Sequence, residues 1–198
     1  MDDDGCGGAD RALQRVAAVD ASGNVFVADS DNNAVKEIVA VNGRIPSSPT
    51  IRTLASGLSA TGIAVDASGN VFVTDSANNA VKEIAAVGGS IPASPTITTL
   101  GSGFSFPTGV AVDGSGNVFV ADFGDNAVKE IVALSGSIPP SPTIATLGSG
   151  FLLPTYVEVD GSGNVFVADS GNNAVKRDCC CGREYSGVSN DPYAGERV

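Results

Sequence analysis

The sequence predicts an all-β fold built from repeated four-stranded antiparallel blades, a β-propeller, and three observations carry that prediction. One phrase recurs four times. It reads Val19-Asp20-Ala21-Ser22-Gly23-Asn24-Val25-Phe26-Val27 and returns at 65–73, 112–120 and 159–167. The aspartates that open the copies, Asp20, Asp66, Asp113 and Asp160, lie 46, 47 and 47 residues apart. A fixed period of this size marks a repeat architecture. Each period also holds four short β-rich runs cut by Gly, Asn, Asp and Pro. Finally, no segment keeps a helical period over about 11 residues.

The third copy shows the unit. Gly109-Val110-Ala111-Val112 and Asn117-Val118-Phe119-Val120-Ala121 are apolar on both faces, as strands sandwiched between neighbouring sheets should be. Ala127-Val128-Lys129-Glu130-Ile131 alternates like a more exposed strand. Thr143-Ile144-Ala145-Thr146-Leu147 is Thr-rich and suits an outer strand. Between the first two runs, Asp113 bonds the backbone amides that follow it, and Gly116 supplies the positive φ of a tight hairpin. Each blade buries its flat faces on its neighbours, so no blade is stable alone.

The expected organisation is a non-repeat segment 1–15, repeats over 16–177 with blades at 16–62, 63–109, 110–156 and 157–177, and an irregular tail 178–198. The fourth copy stops after its third strand: Asn173-Ala174-Val175-Lys176 is followed by Arg177-Asp178-Cys179, where earlier copies continue Glu-Ile. About four blades are therefore expected, the last incomplete, in an open propeller or a piece of a larger one. The incomplete blade offers an unpaired edge and a route to self-association.

Pro107-Thr108-Gly109-Val110-Ala111-Val112-Asp113, Gly116-Asn117-Val118-Phe119-Val120-Ala121-Asp122 and Asn126-Ala127-Val128 together resemble the NHL repeat. The resemblance covers roughly 16–177. It implies a propeller, usually of about six blades, in proteins that are secreted or belong to the bacterial cell envelope. One departure repeats. The family commonly places Arg or another polar residue after the turn's Asn, and here Ala34, Ala80, Ala127 and Ala174 stand there.

Composition excludes several functions. Twenty-two acids face eleven bases, for a net charge of −11, so neither nucleic acid nor anionic lipid finds a basic face. No apolar run approaches the ~20 residues of a membrane span, and Met1-Asp2-Asp3-Asp4-Gly5-Cys6 does not begin a signal peptide. Histidine is absent, which removes the commonest general base and zinc ligand. Lyases of NHL-like propellers have histidine-bearing sites, so the expectation is no enzyme activity and no cofactor. The Cys179-Cys180-Cys181 run lacks the Cys-x-x-Cys spacing of structural zinc, and no metal site is expected.

The candidate function is therefore a non-enzymatic binding or scaffold module that recognises a protein or small ligand on one rim. The alternatives are a fragment of a lyase- or hydrolase-type propeller, or a truncated product without independent function. In a four-stranded meander, alternate connections fall on opposite rims. The rim with the Asp-x-x-Asn turns also takes the loops at 101–108 and 148–155, and it gathers Phe104, Phe106, Phe123, Phe151, Leu152 and Tyr156. Loop aromatics beside polar groups suit recognition; the competing reading plugs Phe104 and Phe151 between blades. Asp29, Asp75, Asp122 and Asp169 end the second strands on that rim. They either order the Asn-rich turns or offer a ring of oxygen ligands, although Asp29-Ser30-Asp31-Asn32-Asn33 lacks the Gly and distal Glu of a calcium loop.

Overall fold

A computed structural model describes residues 16–148 and 150–179, with the backbone alone for Asp178 and Cys179. Four antiparallel sheets follow one another along the chain. The first holds β1 (Ala17–Val19), β2 (Val25–Asp29), β3 (Ala34–Ile38) and β4 (Ile51–Ser56). The second holds β5 (Ala60–Val65), β6 (Val71–Asp75), β7 (Ala80–Ile84) and β8 (Ile97–Gly101). The third holds β9 (Pro107–Val112), β10 (Val118–Asp122), β11 (Ala127–Ile131) and β12 (Ile144–Thr146). The fourth has three strands, β13 (Pro154–Val159), β14 (Asn164–Asp169) and β15 (Ala174–Cys179). Strand order in every sheet is sequence order, the meander of a propeller blade.

The expected blade boundaries at 62/63, 109/110 and 156/157 fall inside β5, β9 and β13. The inner strand begins at the residue before Thr61, Thr108 and Thr155, in the loop's last turn, because these residues already pair with the second strand. The last strand runs to Cys179, two residues past the expected end of the repeats. Segments 1–15 and 180–198, and with them Cys180 and Cys181, lie outside the described residues.

Blade stacking supplies the core, in three clusters, one per interface. Phe26, Ala28 and Val35 of the first blade meet Ile63, Val71 and Val73 of the second. Phe72 and Val81 meet Val110, Val118 and Val120. Ala111, Phe119 and Val128 meet Val157, Val165 and Val167. This arrangement explains why the Val-Phe-Val run is apolar on both faces: its valines face the preceding blade and its phenylalanine the following one. Hydroxyls stitch the interfaces, with Thr61 Oγ1 donating to Pro107 O at 3.1 Å and Thr108 Oγ1 to Pro154 O at 3.2 Å.

The two outer faces of the array differ from the inner ones in burial. Val25 and Val27 are half-buried where their counterparts Val71, Val73, Val118 and Val120 are fully buried. Val175 is 77% exposed, whereas Val35 and Val81 are at 0%. Among the described residues nothing covers these two faces, consistent with an open array.

The repeated turn behaves as its sequence requires. Asp20 Oδ1 accepts from Ser22 N and Asn24 N at 2.9 and 2.8 Å, and Asn24 Nδ2 donates to Oδ2 at 2.7 Å. Asn24 Oδ1 then takes Ala40 N at 2.8 Å, which ties the turn to the loop after β3. Asp66, Asp113 and Asp160 repeat the carboxylate bonds. Among the described residues, no helix is long and apolar enough to cross a membrane.

Candidate functional site

The second-strand aspartates are held inside their blades. Asp75, Asp122 and Asp169 are 0% exposed. Each accepts a backbone amide from the loop leading into its own blade: Ser59 N at 3.0 Å, Ser105 N at 2.7 Å and Leu152 N at 2.6 Å. The turn's asparagine closes on the other oxygen, Asn78 on Asp75 at 2.9 Å and Asn172 on Asp169 at 2.7 Å. A third-strand lysine completes each set, at 2.5 Å for Lys36–Asp29, 3.8 Å for Lys82–Asp75 and 2.6 Å for both Lys129–Asp122 and Lys176–Asp169. The carboxylates thus organise the turn and the incoming loop. Among the described residues, no three His, Cys, Asp or Glu side chains converge on one metal position.

The third blade departs from this pattern. Asp125 stands where Asn78 and Asn172 stand, so two carboxylates share Lys129, with Asp125 Oδ2 at 2.5 Å. Burial pushes the Asp122 carboxyl above its ordinary value against the pull of Lys129 and the Ser105 amide. Lys129 holds the exposed Asp125 below it.

In the fourth blade, burial also opposes ionisation of Asp169, but Lys176, Asn172 and the Leu152 amide together outweigh it, and its value falls below 3.8. A depressed carboxylate stabilises the fold above the unfolded-state value and loses that contribution as pH falls through the folded-state value. The stability gap between the native protein and Asp169→Asn is therefore expected to hold above 3.8 and to shrink as pH falls from 3.8 through the lower folded-state value. Urea midpoints of both proteins across that range measure it. A gap that stays constant or widens in acid contradicts the ion-pair account.

The aromatic candidates separate into two groups. Phe104 is buried, and Lys129 Nζ lies 5.8 Å from its ring centre. Phe151 is half-buried, with Lys176 Nζ at 5.3 Å. Both serve as floors beneath lysines. Phe106 is exposed and lies 6.5 Å from half-buried Phe123, centroid to centroid. Leu152 and Leu153 are exposed on the equivalent loop of the next blade.

Phe106 and Leu153 are the extra residues that lengthen the period from 46 to 47; Ser59-Ala60 in the second blade has no counterpart between its two residues. Both insertions sit in the left-handed region, at φ 55° and 51°. Bulky side chains rarely adopt it. The asparagine of the preceding blade's turn holds each one: Asn79 Oδ1 accepts Phe106 N at 2.8 Å, and Asn126 Oδ1 accepts Leu153 N at 2.7 Å. The strained backbone thus aims two large apolar side chains into solvent.

Tyr156 is not on the rim loop where the sequence reading grouped it. It lies within β13, beside a pocket of about 200 Å³ that is open to solvent and bordered by the innermost strands β1, β5, β9 and β13. Beside it, Glu158 was not singled out from the sequence. Column-by-column comparison of the repeats carries the signal: Tyr156 replaces Gly62 and Gly109, and Glu158 replaces Ala64 and Ala111. The Tyr156 hydroxyl is raised above its ordinary value by burial and then by the Glu158 charge and hydrogen bond.

The NHL repeat family model matches residues 58–84 and 104–131. No curated protein matches the chain. Among solved structures, a streptogramin B lyase is similar at TM-score 0.64 and 12% identity over 85% of this chain and 52% of that one. Virginiamycin B lyase from Staphylococcus aureus is similar at TM-score 0.61 and 14% identity, covering 84% and 52%. A putative gluconolactonase is similar at 0.58 and 15%, covering 77% and 56%. The chain thus spans about half the length of these structures, and identities this low show a shared fold only. The chain carries NHL repeats and takes the β-propeller fold, a fold it shares with lyases and lactonases.

Proposed function

We propose that the chain is a non-enzymatic recognition module that binds a protein or small ligand on the rim bearing Phe106, Phe123, Leu152 and Leu153. One observation carries this reading. Phe106 and Leu153 are insertions into the repeat, held in left-handed backbone by Asn79 and Asn126 with their side chains exposed. Strain at exposed apolar residues costs stability on both counts, and it persists where a site needs those side chains. Aromatic and aliphatic anchors on a rigid scaffold are what recognition surfaces use.

The test is a peptide-display selection on the immobilised full chain, followed by binding of the enriched peptides to Phe106→Gly/Leu153→Gly. Glycine relieves the positive φ, so the variant is expected to unfold at higher urea, by up to about 1 kcal/mol per site. Its affinity for the selected peptides is expected to fall at least about tenfold. Peptides that bind both proteins equally remove the proposal.

The enzymes among the solved structures support a second reading, a lyase- or hydrolase-type propeller. One of those structures is a catalytically inactive histidine-to-alanine variant of virginiamycin B lyase with quinupristin, and histidine is absent from this chain. Incubation of the chain with quinupristin, followed by mass spectrometry, separates the readings. Unchanged quinupristin is expected, and a converted product overturns the non-enzymatic assignment.

A further inference from the structure

Each complete blade carries a glutamate on its third strand, in the row that faces the following blade. In the first blade it is Glu37, opposite Phe26 on β2 and Arg52 on β4. Arg52 Nε donates to Glu37 Oε2 at 2.8 Å, and Nη2 donates to the same oxygen. Nη2 also donates at 3.0 Å to the carbonyl of Ile91, which follows the Val87–Ser90 bridge of the second blade. One planar guanidinium thus joins a carboxylate of one blade to a backbone oxygen of the next, a task that suits its fixed fork of donors. It also covers the carboxylate, since Glu37 is only 3% exposed.

The interface between the second and third blades repeats the acceptors without the arginine. Both sheets there have four strands. Glu83 lies opposite Phe72 and Thr98, so Thr98 stands where Arg52 stands. Ile138 follows the Leu134–Ser137 bridge as Ile91 follows Val87–Ser90, and both isoleucines precede a proline. Each packs into the cluster of its own interface, Ile91 with Phe26 and Ile138 with Phe72. Glu83 makes no ion pair among the described residues. Burial and then the charge of Asp66 push its carboxyl above the ordinary value, with no cation to pull it down. It is half-buried where Glu37 is covered, and Thr98 beside it is exposed, so it is reached from outside the blade. Glu130, the third-blade equivalent, is not free, and the unmatched carboxylate is Glu83.

We propose that Glu83 and the Ile138 carbonyl receive the guanidinium of an arginine on a partner polypeptide, in the place that Arg52 fills one blade earlier. One carboxylate supplies too few oxygens for calcium or magnesium. The net charge of −11 favours a cationic partner. Thr98 lies on β8, the edge strand of its sheet, along which an extended peptide can lie. This favours an arginine within a polypeptide over a small guanidinium compound. The site is on the flank between two blades, apart from Phe106 and Leu153, and does not rest on the rim reading.

The experiment titrates the isotope-labelled full chain with acetyl-Gly-Arg-Gly-amide and follows the backbone amides of Glu83, Thr98 and Ile138 by NMR. Saturable shifts are expected, with a dissociation constant of about 1–10 mM. The matching citrulline peptide, uncharged and nearly isosteric, is expected to bind at least about tenfold more weakly, as is the arginine peptide to Glu83→Gln. Glutamine removes a desolvated charge, so that variant keeps the fold. Thr98→Arg supplies the guanidinium from the chain itself. It is expected to lose the peptide shifts and to unfold at higher urea than the native protein. Methylguanidinium is expected to bind no more tightly than the peptide. Absence of saturable shifts at these amides, equal binding of the citrulline peptide, unchanged binding by either variant, or tighter binding of methylguanidinium overturns the proposal.

Discussion

Replacing Gly62 by alanine is expected to destabilise the protein by about 3 kcal/mol, a large share of the roughly 5–15 kcal/mol that holds a domain together. The new methyl would sit 2.3 Å from the Thr108 carbonyl oxygen and 3.1 Å from Gly109 Cα. Both are backbone atoms of the adjacent blade, so neither can turn aside. The inner strands must part, and parting them loosens the cluster of Phe72, Val81, Val110 and Val118. Gly109→Ala is expected to act the same way against Tyr156 Cα and Val157 N. Gly114→Ala is the control. Its added methyl meets nothing within 4 Å and its backbone is not left-handed, so it is expected to be neutral or to stabilise by up to about 1 kcal/mol. Urea unfolding of the three variants gives the order directly. Equal midpoints for Gly62→Ala and Gly114→Ala contradict direct strand-on-strand packing at the axis.

Asp122→Ala is expected to cost about 2–3 kcal/mol. The carboxylate is fully buried, and it alone receives Ser105 N, at 2.7 Å. Its loss strands that amide and frees the loop that carries Phe104 and Phe106. Lys129 is not stranded, because Asp125 Oδ2 and Gly103 O remain at 2.5 and 2.7 Å. This second partner keeps the cost below that of an orphaned buried charge. Asp122→Asn is expected to be milder, since the amide oxygen still accepts from Ser105. Its cost should also fall as pH rises. Burial raises the Asp122 carboxyl, so a native aspartate loses stability as pH rises from its unfolded-state value through its folded-state value, and asparagine does not titrate. An Asp122→Asn protein as unstable as Asp122→Ala at neutral pH contradicts the role given to the Ser105 bond.

The environments of these residues were legible in the sequence to different degrees. The Asp-x-x-Asn turns and the Asp-x-Ser-Gly-Asn hairpins are local. Their partners lie within seven residues of each aspartate, apart from the incoming loop amide, and the residue types alone imply the bonds. The two-sided apolar character of Val71-Phe72-Val73 and its copies likewise announced strands between sheets, and the structure stacks them so. Lys82 and Lys129 follow from strand pairing, because β6 with β7 and β10 with β11 bring each third-strand lysine beside the aspartate that ends the second strand.

Repetition by itself determined the blade, its four-strand meander, its turns and the radial apolar contacts, since these depend on hydrogen bonding and burial that recur with the period. Tertiary structure alone decided what meets at the axis. Tyr156 and Glu158 differ from Gly62 and Ala64 in plain view along the chain, yet their surroundings depend on strands about one, two and three repeats away that border one open pocket. Alternation along a strand states which face a side chain takes. What lies beyond that face is set by stacking, a long-range packing outcome that local periodicity does not encode. The same distinction separates Phe104, buried beneath Lys129, from Phe106, raised into solvent two residues later by an asparagine of the preceding blade.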